Sequence, residues 1–107
     1  MGAVIQSQIE ALKKWEQKIR ENILFKEYVL RKIKREELQY EGKIKIFEQA
    51  GEIYKEDIEA LKAAFDAMKD RNTRLVVELE REKILMEEAL EEIHGKLDHL
   101  KREWASI

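Results

Sequence analysis

One heptad frame runs along this chain and dictates what it can fold into. Position a falls on residue 9 and every seventh residue from it, and d three residues later. Apolar residues fill 22 of the 31 a and d positions, against 44 % of the chain as a whole. The frame holds without a slip as far as Leu79. That spacing places one apolar stripe along a helix, and such a stripe needs a partner surface. The chain supports this reading by what it lacks. It has no proline and only 4 glycines in 107 residues, which leaves few places for tight turns. A β-rich or α/β fold needs those turns, so both are excluded. The 41 % of charged residues beside 44 % apolar is the composition of a coiled coil.

The sequence therefore predicts an all-α fold. It is a long, largely continuous helix in an elongated coiled coil, with 1–107 as a single segment. At 1.5 Å per residue such a helix would span roughly 150–160 Å. Residues 1–6 read as a frayed end or a cloning remnant, and the whole as a fragment of a larger protein. Ser7 with Glu10 fits a capping box, so regular helix is expected from about Gln8. The weakest point is Asp70-Arg71-Asn72-Thr73, the best loop candidate, but the frame passes through it and continuity is favoured. Gly42, Gly51 and Gly95 stand isolated, each costing roughly 1 kcal/mol inside a helix. Near the C-terminus the stripe shifts to Met86, Leu90, Ile93, Leu97, Leu100 and Trp104. That predicts a stutter near residues 79–90, where the supercoil locally unwinds.

The expected interface is the stripe itself. It comprises Ile9, Leu12, Ile19, Ile23, Leu30, Ile33, Tyr40, Ile44, Phe47, Tyr54, Ile58, Leu61, Phe65, Met68, Asn72, Leu75, Leu79, Met86, Ile93 and Leu100. The charges that interrupt it decide orientation. In a parallel homodimer Glu16, Lys26, Glu37 and Glu82 would each face their own copies, which is costly at a seam. Asn72 alone suits a parallel register. An antiparallel homodimer, with facing residue numbers summing to 112, removes every like-charge layer. Glu16 then meets Lys96, Asn72 meets Tyr40, and Phe65 meets Phe47. Lys26, Glu37, Glu82 and Glu103 face apolar residues. The net charge of −2 hides two blocks. Residues 13–35 carry +6, and residues 78–92 carry −5. The alignment lays one over the other, so antiparallel pairing is favoured.

A two-stranded seam needs only a and d, and this chain carries more apolar surface. Ile46, Ile53, Ala60, Ala63, Ala64 and Ala67 flank the expected two-fold axis and form a candidate docking surface for another protein. Burial in a trimer or tetramer would account for them equally well. Long antiparallel dimers with a docking midpoint resemble the coiled coils of tripartite-motif proteins; the likeness is one of architecture.

Little chemistry is expected. There is no cysteine, no Gly-rich phosphate loop and no nucleophile arrangement, and a rod offers no pocket to shift a carboxylate pKa. Glu91 and His94 have the Glu-x-x-His spacing of di-iron bundles but lie off the stripe. No enzyme activity, cofactor or metal is expected. Near-neutral charge argues against nucleic acid, and no apolar run is long enough for a membrane span. The expected function is a structural oligomerisation and spacer module of a cytoskeletal, ciliary or trafficking scaffold in the cytoplasm. The alternatives are a compact helical bundle that captures a partner helix, and an amphipathic basic segment at 13–35 that binds membrane or calmodulin.

Overall fold

A computed structural model describes residues 2–107. Almost all of it is helix: α1, Gly2–Gln49, and α2, Lys55–Ala105. A short 3-10 turn, Glu52–Tyr54, lies between them. Among the described residues there is no strand. The all-α, coiled-coil-like class expected from the heptads is what the chain adopts. The single continuous helix is not, because the chain breaks at Ala50–Tyr54. Helix α2 runs through Asp70–Thr73, where the Thr73 hydroxyl donates to the Lys69 carbonyl at 2.8 Å.

Gly51 makes the break. Its backbone sits at φ 88 and ψ −165, a conformation essentially reserved to glycine. The end of α1 tightens before it. Ala50 N–H donates to the Phe47 carbonyl at 3.1 Å, and Gly51 N–H to the Glu48 carbonyl at 3.4 Å. These i to i−3 bonds occupy carbonyls that a helix end otherwise leaves open. Tyr54 N–H then donates to the Gly51 carbonyl at 3.4 Å and starts the next helical run. Across the corner the rings of Phe47 and Tyr54 meet edge-on, with centroids 5.3 Å apart. Aromatic contacts of this kind add about 0.5–1.5 kcal/mol beyond area burial. The corner is thus held by one glycine and two rings.

The described chain divides into two compact units. Glu27–Leu79 contains the turn. In it Glu48 pairs with Lys62 at 2.9 Å and Glu37 accepts from Asn72 at 3.2 Å. Numbers fall on one helix as they rise on the other, so the segments run antiparallel. Ile33, Ile44 and Phe65 are buried there. Tyr40 stacks on Phe65 with centroids 5.8 Å apart, and the Lys69 ammonium lies 5.1 Å from the same ring centroid. The other unit joins the residues up to Lys26 with Glu80–Ile107. Here too the segments are antiparallel, as Lys26 with Glu82 and Glu16 with His94 show. Its buried residues are Ile5, Ile23, Ile93 and Leu97.

Glycine substitutions separate the turn from the helices. Gly51→Val should lower stability by about 1–3 kcal/mol through backbone strain. Gly42→Ala, with open space around an added Cβ, should raise it by about 1 kcal/mol. Urea denaturation followed by helical circular dichroism measures both. Equal stability of Gly51→Val and the parent chain would contradict the turn.

Candidate protein-interaction surface

The stripe residues come first. All of them except Tyr54 and Leu75 are buried or half-buried along the seam positions of the two helices. Tyr54 lies at the turn and Leu75 within α2, and both are exposed. The seam also takes in the charged positions. Glu16, Lys26, Glu37 and Glu82 are half-buried, as is Asn72.

Each of these polar residues has a partner within the chain. Lys26 Nζ lies 2.8 Å from Glu82 Oε2, with its side chain 12 % exposed and that of Glu82 44 %. Glu16 Oε2 lies 2.9 Å from His94 Nε2, and Arg20 lies 3.1 Å from the same nitrogen. In one tautomer Nε2–H donates to Glu16; in the other the Arg20 guanidinium donates to Nε2. Arg20 also pairs with Glu16 along the helix at 3.5 Å. Glu103, expected against apolar residues, lies 2.9 Å from His99 Nε2. Within the chain Phe65 stacks on Tyr40. The partners sit a few residues from those that the alignment of two chains assigns, because here the helices align through a turn. Among the described residues no buried polar side-chain atom lacks a partner.

The docking residues remain open. Ile46, Ile53, Ala60, Ala63, Ala64 and Ala67 are all exposed, Ile53 at 86 %. They belong to the unit that contains the turn. A second surface, absent from the sequence reading, lies in the other unit. Between α1 and α2 runs a groove of about 750 Å³. Ala11, Leu12 and Trp15 line it from α1, and Gly95, Lys96 and Leu100 from α2. Trp15 is 61 % exposed. Ala11 and Gly95 leave the space, since neither fills its position beside the seam. The signal was present: small residues at heptad position c of both helices, and a tryptophan at g. A single helix has no second wall, so the groove needs the fold to exist.

Among the described residues no group of three metal-ligating side chains comes together. Glu91 and His94 form no such cluster, and His94 is held by Glu16 and Arg20. No described helix is long and apolar enough to cross a membrane. Comparisons with protein-family models, curated proteins and solved structures give no match.

The pair at Lys26 can be tested on its own. Glu82→Ala leaves a half-buried ammonium without its carboxylate and should cost about 1 kcal/mol, the partial exposure of Glu82 keeping it low. Replacing both, Lys26→Met with Glu82→Leu, should restore or exceed the parent stability. Chemical denaturation decides it. A double variant weaker than the single one would mean the pair is not what holds this layer.

Proposed function

We propose that this chain is a structural oligomerisation and spacer module, working through protein–protein contact in a cytoplasmic scaffold of the cytoskeletal, ciliary or trafficking kind. One observation carries the reading: two helices leave too much apolar surface open. Among the described residues no side chain is completely buried, while Trp15, Phe25, Ile46, Ile53, Val77 and Leu85 are each more than half exposed. The accessible surface is 8518 Å². A folded monomer of this mass typically exposes roughly 6,300 Å². The excess is of the order that a stable protein–protein interface buries. Exposed large apolar side chains in this number point to an interaction site.

Self-association is the reading that needs fewest further parts, and a homodimer is its simplest form. Antiparallel orientation draws support from the basic block at 13–35 and the acidic block at 78–92. Pairs such as Lys26 with Glu82 already satisfy part of that attraction within the chain. Lys13, Lys14, Lys18, Arg31, Lys32, Lys34 and Arg35 of the basic block remain exposed for a second chain. The proposed stutter near 79–90 draws support from burial of Leu97 where the strict heptad position, Lys96, is exposed. The groove beside Trp15 also supports the second reading, a bundle that captures a partner helix. The membrane or calmodulin reading has less behind it, because Arg20 and Lys26 of the basic block are engaged with acids.

Sedimentation equilibrium tests the proposal. The expected mass is twice the chain mass of 12.8 kDa, falling toward one chain on dilution. A single-chain mass at every concentration would overturn self-association.

A further inference from the structure

We propose that the groove between α1 and α2 beside Trp15 seats Trp15 of a second copy of this chain, in a two-fold pair. This rests on the self-association reading and names its surface. The groove offers a knob and a hole on the same face. Trp15 projects at its rim and is 61 % exposed. One turn away, Ala11 and Gly95 leave the hole, and a Cβ added at Gly95 meets nothing within 4 Å. A face that carries both is self-complementary, which is what a two-fold interface requires.

The register follows from the spacing. Val4, Ala11, Trp15, Lys18 and Phe25 lie on positions c and g of α1, a second stripe beside the seam. Antiparallel helices pack such positions in alternating layers. Setting Trp15 of one copy opposite Ala11 of the other fixes the pairing on α1 by symmetry. Carried across the groove to α2, Trp15 comes over Gly95 and Val4 comes to Leu85. Val4 and Leu85 are each more than half exposed, so this contact covers two open apolar side chains. Lys18 of each copy comes within a turn of Asp98 of the other, so opposite charges face at the rim. The other flank of the same unit offers no such match. There Glu10, Lys13, Gln17, Arg20 and Glu87 are all exposed, and Leu24 shares that mostly charged flank with them. A tryptophan anchor in a groove is the usual form of an interface hot spot. The open surface exceeds what such a pair needs.

The test uses the full chain and three single variants. Gly95→Gln fills the hole; it replaces a helical glycine that has open space around it, so the hairpin keeps its helix content. Trp15→Gln removes the knob. Leu24→Gln alters the charged flank, at a residue equally exposed. Sedimentation equilibrium should show dimer dissociation constants at least about tenfold higher for Gly95→Gln and Trp15→Gln. Leu24→Gln should stay within about twofold of the parent. In a Trp104→Phe background, Trp15 fluorescence should shift to the blue as the chain is concentrated. If both groove variants dimerise like the parent, another face holds the dimer; the groove proposal falls and self-association stands. A parent chain that stays monomeric at every concentration overturns both. A monomer whose groove is filled by a different protein's helix also overturns the self-pairing.

Discussion

A helix with an apolar stripe at heptad spacing cannot stand uncovered in water, and everything in this structure follows from how that stripe is covered. Two long chains could cover each other, or one chain could turn back. The choice falls to a single residue. Gly51 takes a backbone conformation that a side chain would oppose, and it does so near the middle of the chain. Within each of the two units the segments then run antiparallel, and the stripe of one rests on the stripe of the other. No metal, disulfide or loop is needed for this, only a short turn closed by Phe47 against Tyr54.

Turning back also explains the polar residues on the stripe. A charge at a seam position is tolerable where an opposite charge or hydrogen-bonding group stands within reach. Lys26 with Glu82, Glu16 with His94, and Glu37 with Asn72 satisfy that condition inside one chain. They also hold the alignment, because a slip of one heptad would leave Lys26, Glu82, Glu37 and Asn72 against apolar side chains. Such residues lower the hydrophobic stabilisation of the seam in exchange for one register. The same economy leaves the outer faces underused. A pair of helices buries one stripe on each, and this chain has apolar residues on more than one.

The heptad frame made the helices, the seam residues and the absence of strands legible. The two charge blocks were legible too, and Lys26 with Glu82 is a pair between them within the chain. The turn was not. Gly51 stands at an a position and Tyr54 at a d position, so the break leaves the frame in phase and the periodicity carries no trace of it. A glycine is ambiguous in sequence: Gly42 and Gly95 sit inside helices, while Gly51 alone has positive φ. Asp70–Thr73 looked more like a loop because polar residues cluster there, yet Asn72 is a seam residue bonded to Glu37. The groove beside Trp15 needed two walls from distant parts of the chain, and only the fold brings Ala11 and Gly95 to the same place.

The fold-back itself is open to one direct measurement. Spin labels at Gln17 and Glu91, both exposed and both in the unit that joins the two chain ends, would be placed on the same chain. Dilution with unlabelled chain leaves only pairs within one molecule. Adjacent antiparallel helices put the labels on the order of 20–30 Å apart, allowing for their linkers. One continuous helix would put them roughly 110 Å apart at 1.5 Å per residue, beyond any dipolar signal. A short intrachain distance is the result expected. Loss of that distance on dilution would show that the stripe is covered by another chain and would contradict the hairpin.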